Sequence, residues 1–224
     1  TLGLAAGHPL DSADHAGGVA SLARAYPPAR VLSGEPHKLD RNARYCAAGK
    51  HWRWDGVDFR FVHPDRDDGF VANNASCVLR IDAPGGSILL PGDIEATAER
   101  ALLARGAPVA ADVVVAPHHG SETSSTHELV RRVSPEWVLY SVGWANQWDL
   151  PHAPVMQRWR PAGYARTDCG GALHLRVTPR GGVGAPRALR EQRRRFWHAG
   201  CDGVGNSGTM QAVSRPGPAR PTEE

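Results

Sequence analysis

The stretch "ADVVVAPHHGSETSS", residues 111–125, decides how this sequence of 224 residues is interpreted. Three consecutive valines form a short apolar run, typical of a buried strand, and the run ends in a polar loop that carries His118 and His119. The earlier stretch "ILLPGDIEATAERALLARG", residues 88–106, has the same design: an apolar strand ends at Asp93, and an amphipathic helix follows it. Polar residues therefore fall repeatedly where a strand ends.

Strands and helices alternate along much of the remaining chain. Alternating apolar and polar residues around an Asp-Gly turn predict a hairpin over 51–64, and a Pro-Gly-Gly turn predicts a second hairpin over 75–93. Helices are expected over 16–25 and 153–163, and one last strand is expected over 171–179. The pattern predicts an α/β layered architecture with a site on loops at one edge of its sheets.

Composition narrows the class of protein without naming a function. Apolar residues make up 41% and charged residues 22% of the chain, as in an ordinary globular domain, and the net charge of +3 does not indicate a nucleic-acid binder. No apolar run approaches the ~20 residues of a membrane span, and no signal peptide is recognisable. We expect a domain over 1–198 and a disordered tail over 199–224, where Gly, Ser, Pro and Arg dominate.

A cluster of arginines over 187–195 has two interpretations. It is either a solvated face of a terminal helix or a group that contacts phosphates. Charge alone does not choose between them.

The residues at the strand ends are types that bind metals. A further stretch, "GHPLDSADHAGG" over 7–18, adds two histidines and two aspartates. A single His or Asp at a strand end is usually a capping residue, but several on one edge form a carboxylate and imidazole site that suits Zn or Mn. A carboxylate at Asp93 can bridge two ions about 3.5–4 Å apart, which would activate water and hold the oxygens of a phosphodiester.

These motifs together resemble the metallo-β-lactamase fold, and in detail the C-terminal, extracytoplasmic domain of the ComEC family of competence DNA-uptake proteins. The resemblance covers most of residues 7–198. Its most specific stretches are "DHAGG" (14–18), "NNASCVLRI" (73–81), "LLPGDIEATAE" (89–99), "VAPHHGSETSS" (115–125) and "SVGWANQWDLPH" (141–152).

The resemblance implies an αββα sandwich, one or two divalent ions (Zn or Mn), and hydrolysis of DNA. It implies metal ligands at Asp14, His15, Asp93 and one of the two histidines His118 and His119, of which His119 is favoured because it directly precedes Gly120. His8 is a further candidate, as a replacement for a lost ligand. Asp14, Asp93 and His118 are the expected catalytic residues. Expected substrate contacts are Asn73, Asn74, Ser121, Thr123, Ser124 and Asn146.

The sequence departs from the family pattern in three places, of which the third, Leu150 before Pro151 where many relatives have His, is interpreted as a tolerated variant. The pattern H-x-D-x-D-H is here H-P-L-D-S-A-D-H, so Leu10 and Ser12 stand where a His and an Asp are expected, and His8 and Asp11 are out of register. Either His8 folds back to replace the lost ligand or the first metal site is impaired. The D-V-G-Q-G-D motif expected before the histidines is also absent, which predicts an N-terminally truncated domain with an incomplete sheet.

The leading functional hypothesis is a metal-dependent phosphodiesterase that acts on incoming DNA. Its partners would be single- or double-stranded DNA and the membrane channel of the same full-length protein, at the extracytoplasmic (periplasmic) face of the inner membrane, without direct membrane insertion by this chain. The alternatives are a catalytically impaired remnant with a structural or DNA-contacting role, and a hydrolase of esters or lactones. His63 is expected to be structural, and Cys46 and Cys77 either form a disulfide or remain buried thiols.

Overall fold

The computed structural model describes residues 2–4, 13–27, 29–39, 43–193 and 195–198, without the side chains of 2–4 and 13–14. Three predicted features are affected by these bounds. His8 and the tail predicted over 199–224 lie outside the described residues, and Asp14 is described only in its backbone.

A small sheet and a large sheet form the two central layers. The small sheet consists of β1 (Leu2–Leu4), β2 (Arg30–Ser33) and β3 (Arg44–Tyr45), which are parallel to one another. The strands of the large sheet are β4 (His51–Trp54), β5 (Val57–His63), β6 (Val78–Ala83), β7 (Gly86–Leu90), β8 (Val113–Val115), β9 (Trp137–Tyr140) and β10 (Gly163–Arg166). Their order in the sheet is β10-β9-β8-β7-β6-β5-β4.

The large sheet has two halves that differ in strand direction. Strands β4 to β7 form an antiparallel meander, whereas β7 to β10 are parallel neighbours. Because parallel strands end at the same edge, the loops after β7, β8, β9 and β10 all leave the sheet on one side. This edge is where the sequence places most of its polar motifs.

The helices are short, and three of them cover one face of the large sheet. The helices are α1 (Ala13–Ala16), α2 (Val19–Ala25), α3 (Ala96–Ala104), α4 (His127–Val133), α5 (Ala153–Arg158), α6 (Thr167–Gly170) and α7 (Leu189–Gln192). Leu102 of α3, Leu129 of α4 and Val155 of α5 are fully buried in one apolar cluster with Val114 and Val138 of the sheet. Single turns of 3-10 helix occur at Pro36–Lys38, Ala72–Ala75 and Pro117–Gly120.

The opposite face of the large sheet packs against the small sheet. Leu32 of β2 lies in a second apolar cluster with Phe61 of β5 and Leu79 of β6. Cys46 and Cys77 form a disulfide within this cluster, so the alternative of two buried thiols is wrong. Helix α2 contacts β1, and the layers agree with the predicted αββα class.

Some local predictions are wrong. The last strand expected over 171–179 is divided into β11 (Leu173–His174) and β12 (Val177–Thr178), which belong to two different two-stranded sheets. β12 pairs with β13 (Gly182–Val183), because the chain turns back tightly after β12. β11 pairs with β14 (Arg187–Ala188). Strand β10 was not predicted. Of the described residues in the arginine cluster over 187–195, the four of α7 are helical.

None of the helices in the described part of the chain has both the length and the apolar character needed to cross a membrane.

Candidate metal centre

Three neighbouring strand ends place the residues of the candidate centre. Asp93 follows β7 after a Pro-Gly turn, and His118 and His119 follow β8 in the Pro117–Gly120 turn. Ser141 comes directly after β9. Since these three strands are adjacent and parallel, their ends bring all four residues to one edge of the sheet.

Three side chains converge there. The Nε2 atom of His15 lies 2.9 Å from Oδ2 of Asp93, and Nε2 of His119 lies 3.7 Å from the other oxygen, Oδ1. One potential ligand atom from each of the three residues lies within 4.8 Å of the other two. Each oxygen of one carboxylate therefore faces a different imidazole.

Asp93 is held firmly in this position. Its side chain is largely buried, and its backbone N–H donates to Oγ of the buried Ser76 over 3.1 Å. Burial opposes ionisation, but the hydrogen bond from His15 and the nearby charges of His15 and His119 hold the pKa of the Asp93 carboxyl below its ordinary value. Asp93 is thus an anchored carboxylate that stays ionised.

His119 is oriented by a backbone carbonyl. Its Nδ1–H donates to the carbonyl oxygen of Ser141 over 2.7 Å, which directs Nε2 toward Asp93. Metal-binding histidines are commonly oriented in this manner, because the hydrogen bond selects the tautomer and the ring direction.

The turn that carries His118 and His119 has an unusual backbone. Both histidines have positive φ angles, 48° and 56°, and Gly120 follows with a φ of 87°. A Cβ at Gly120 would lie 2.6 Å from Cβ of Pro151, so only glycine fits there. Strained left-handed residues of this kind persist where the surrounding structure holds them, and they are frequent at functional sites.

The donor set fits a divalent metal ion. Two imidazole nitrogens and a buried, ionised carboxylate are ligands that Zn and the harder divalent ions share. The hydrogen bond at Nδ1 of His119 leaves Nε2 as the nitrogen that faces the centre, and the two oxygens of Asp93 face two different imidazoles. His15, Asp93 and His119 could therefore hold such an ion.

His118 contacts a different set of polar side chains. Its Nδ1 lies 3.1 Å from Oγ1 of Thr123 and 3.5 Å from Oε1 of Glu95, and its Nε2 lies 3.5 Å from Nδ2 of Asn73. Of the two adjacent histidines, His119 belongs to the cluster of potential ligands, and His118 belongs to a neighbouring polar network.

Three of the predicted substrate contacts use their polar groups inside the fold. Oδ1 of Asn74 accepts from the backbone N–H groups of Glu95 and Ala98 at the start of α3. The buried hydroxyl of Ser124 donates to the carbonyl of Pro117 over 2.8 Å. The amide of Asn146 makes hydrogen bonds within its own loop at both ends. Each holds the loops around the centre in place.

Ser121 and Thr123 remain near the cluster with accessible hydroxyls. Their oxygens lie 3.2 Å apart, and Thr123 is exposed. With Asn73, they are the predicted contacts that face the network of His118.

His63 has the structural role that was expected. It is fully buried, and its Nε2–H donates to the carbonyl of Asn74 over 2.7 Å. Burial lowers the pKa of His63 below its ordinary value, so the ring is neutral.

Sequence reasoning missed several residues that support the centre. Ser141 acts through its carbonyl, which leaves no signal in the residue type. Glu95 was detectable, because it lies two positions after Asp93 in the same motif. In the structure, its carboxylate faces His118. Glu99 is fully buried in α3 and accepts from the N–H groups of Ser125 and Thr126 over 2.5 and 2.8 Å.

Glu99 and Arg158 hold the loop behind the histidines. Burial raises the pKa of the Glu99 carboxyl above its ordinary value, although its hydrogen bonds with Thr126 and Ser125 oppose the shift. From the other side, Arg158 donates to the carbonyls of Ser124 and Ser125. The loop after His119 is therefore fixed from two helices.

Comparison with known proteins agrees with this geometry. The sequence model described as the metallo-beta-lactamase superfamily matches residues 13–144. That range includes His15, Asp93 and His119.

Several curated proteins are similar over most of the chain. Competence protein ComA of Neisseria gonorrhoeae is 38% identical over 177 residues, which are 78% of this chain and 25% of ComA. Recombination protein 2 of Haemophilus influenzae is 35% identical over 149 residues, 66% of this chain and 19% of that protein. ComE operon protein 3 of Bacillus subtilis is 30% identical over 129 residues, 57% of this chain and 17% of that protein.

These matches confirm the resemblance to the ComEC family that the motifs indicated. The chain spans one quarter or less of the length of these relatives.

Proposed function

Because the chain belongs to the metallo-beta-lactamase superfamily, we propose that it is the metal-dependent hydrolase domain of a competence DNA-uptake protein and that it cleaves phosphodiester bonds of DNA. The observation that carries this proposal is the convergence of His15, Asp93 and His119 at the carboxyl ends of parallel strands. The substrate class rests on the relatives, which are named for competence and recombination.

The cation is Zn or Mn, as one or two ions, held by His15, Asp93 and His119. Asp14 and His8 are further ligand candidates whose side chains are not described. Divalent ions in such sites supply Lewis acidity, which lowers the pKa of water and stabilises charge on phosphoryl oxygens. Each Asp93 oxygen lies toward a different imidazole, so this carboxylate could contribute an oxygen to an ion held with His15 or with His119.

His118 is the proton-transfer residue of the proposal. Thr123 and Glu95 occupy its Nδ1 side, which orients the ring and leaves Nε2, beside Asn73, to exchange a proton. The exposed hydroxyl of Thr123 and the neighbouring Ser121 donate hydrogen bonds to a phosphate of the substrate. Asn74, Ser124 and Asn146 support the loops rather than contact DNA, since their polar groups are already used.

In the full-length protein, this domain works with a membrane channel at the extracytoplasmic face, on DNA that is being taken up. The departure at Leu10 and Ser12 supports a second candidate, a remnant of the same fold that contacts DNA without cleaving it.

Metal content separates the two candidates. We expect about one or two ions per folded wild-type chain by elemental mass spectrometry, and a large loss in Asp93→Asn and His119→Gln. His51→Gln is the matched control, because this exposed histidine lies on β4, at the opposite edge of the sheet from β10. Circular dichroism verifies that each variant is folded.

Cleavage of a labelled oligonucleotide then tests the activity. We expect metal-dependent cleavage by the wild type and by His51→Gln, and none by Asp93→Asn. Parallel assays with a phosphodiester and a carboxyl ester of p-nitrophenol test the substrate class. A folded chain that binds no metal supports the remnant, and faster ester hydrolysis contradicts DNA as the substrate.

A further inference from the structure

A basic pocket lies outside the candidate metal centre, near the C-terminal limit of the described chain. Its volume is about 420 Å³, and Arg190, Arg193, Arg195 and Trp197 line it together with the backbone of Gly171. No carboxylate is among the described residues that line this pocket. Three guanidinium groups and an aromatic ring therefore lie around one pocket.

The arginines differ in how firmly they are held. Arg190 is half-buried, donates to the carbonyl of Asp168 over 2.7 Å, and packs its side chain against Gly171. Arg193 and Arg195 are exposed, and neither takes part in an ion pair in the described part of the chain. One guanidinium thus belongs to the wall, and two are available to bind an anion.

The aromatic ring is positioned by a closed turn. The N–H of Arg195 donates to Nδ1 of His198 over 3.2 Å, and the N–H of His198 donates to the carbonyl of Arg195 over 3.0 Å. This turn sets the guanidinium carbon of Arg195 5.8 Å from the centre of the Trp197 ring. Trp197 nevertheless keeps 64% of its surface exposed, so the ring can take a further stacking partner.

The pocket is connected to the candidate metal centre through α6. Thr167 begins α6, and its hydroxyl donates to the carbonyl of Val142 over 2.7 Å. Val142 follows Ser141, whose carbonyl orients His119. At the other end of α6, which is only about 6 Å long, Gly171 forms the pocket wall.

We propose that this pocket binds a single-stranded nucleic acid, with a backbone phosphate at Arg193 and Arg195 and an adjacent base stacked on Trp197. Guanidinium groups bind phosphate through paired hydrogen bonds, and exposed aromatic rings bind unpaired bases. The inference rests on the proposed function, since it names the form of DNA that the domain holds beside its centre.

An anionic bilayer is the competing partner, because arginines next to exposed Phe196 and Trp197 also suit a membrane surface. The concave shape favours the nucleic acid. A pocket can enclose a phosphate group, whereas a lipid surface makes flat contacts.

The experiment measures binding without metal, so that hydrolysis cannot contribute. Fluorescence anisotropy of a labelled oligothymidylate of about 20 nucleotides, longer than most single-stranded sites, is recorded with the full chain in EDTA over a range of salt. The variants are Arg195→Glu and Trp197→Ala. The control is Arg53→Glu, the same charge change on β4.

We expect Trp197→Ala to weaken binding by about fivefold or more. Arg195→Glu should weaken it as well and reduce the slope of log affinity against log salt by about 0.7, the contribution of one phosphate contact on a single strand. Arg53→Glu should stay close to the wild type. All variants should keep the wild-type melting temperature, because these side chains are exposed.

A duplex of the same length and vesicles containing phosphatidylglycerol are measured in parallel. The proposal would be overturned if all four proteins bound the oligothymidylate equally, or if the wild type bound the duplex more strongly. It would also be overturned if the variants lost affinity for the vesicles and not for the oligothymidylate. The last result assigns the pocket to a membrane. Failure of the proposed function is distinguishable, since it would leave this binding intact while the protein with metal cleaves no DNA.

Discussion

The two sides of the candidate metal centre are held in very different ways. Asp93 and His119 lie directly after strands of the large sheet, and buried or backbone groups fix both of them. His15 lies on α1, which has four residues, and the following helix α2 has no buried residue. Leu22 of α2 is 54% exposed.

This difference indicates how the centre is assembled. Sites on rigid strand ends are preorganised, so Asp93 and His119 keep their geometry without a ligand. The segment with His15 has little packing of its own, and a metal shared with Asp93 would order it. We therefore expect the two sides to respond differently to mutation and to metal.

The largest effect is expected on the rigid side. Glu99→Ala removes the buried acceptor of the Ser125 and Thr126 N–H groups and should lower the free energy of unfolding by about 3 kcal/mol. Urea denaturation measures the change. Glu128→Ala, at an exposed position of α4, is the control. A loss as small as that of the control would show that Glu99 does not brace the loop.

Metal binding should mainly order the segment that carries His15. At a concentration of about 100 times its Kd, Zn or Mn should raise the free energy of unfolding by about 2.7 kcal/mol, and it should slow tryptic cleavage after Arg24 of α2. Melting curves and limited proteolysis measure these effects, which should both disappear in His119→Gln. If metal raises the melting temperature but leaves cleavage after Arg24 unchanged, the metal does not order the segment with His15.

The turn at Gly120 should be less sensitive than Glu99. Gly120→Ala combines a left-handed backbone with a close contact to Pro151 and should cost about 2 kcal/mol. Gly49→Ala is a close control, because Gly49 has a φ of 84° with open space around its Cβ position. The difference between the two variants measures the clash, and equal losses would show that Pro151 moves aside. Metal affinity should fall only in Gly120→Ala.

The smallest effect is expected in α2. Leu22→Ala should change the free energy of unfolding by about 0.5 kcal/mol or less, as at most exposed positions. Leu102→Ala, in the buried face of α3, should cost about 3 kcal/mol in the same measurement. A loss above about 1 kcal/mol for Leu22→Ala would mean that α2 packs more tightly than its exposure indicates.

The parts of the fold that depend on local pattern were predictable. The two hairpins and α3 follow from turn residues and apolar periodicity, which act over a few neighbours. Strand β10 was missed because a helix was predicted up to residue 163 and the four residues Gly163–Arg166 show no alternation of apolar and polar types. The residues over 171–179 pair with two different strands, and no local pattern selects such partners.

The candidate site also has a part that the sequence predicted and a part that only the structure shows. Residue type and position at strand ends were sufficient to single out Asp93 and the pair of histidines, because they follow two apolar runs, and several carboxylates and imidazoles at one edge of a sheet form a set that suits a metal ion. The resemblance favoured His119 over His118 as the ligand, but the physical reason for that choice is visible only in the assembled sheet, where the carbonyl of Ser141 and the backbone angles of the turn direct His119 toward Asp93.

Packing also assigned roles that residue types left open. Asn74, Ser124 and Asn146 could donate to a phosphate, but Asn74 bonds to Glu95, which is distant in sequence. The side chains of Ser124 and Asn146 bond within their own loops. Cys46 and Cys77 form a bond because β3 and β6 belong to layers that meet there. Chemical type is a local property of the chain, whereas a partner is a property of three-dimensional proximity, and for this reason the sequence could nominate the ligands but not their arrangement.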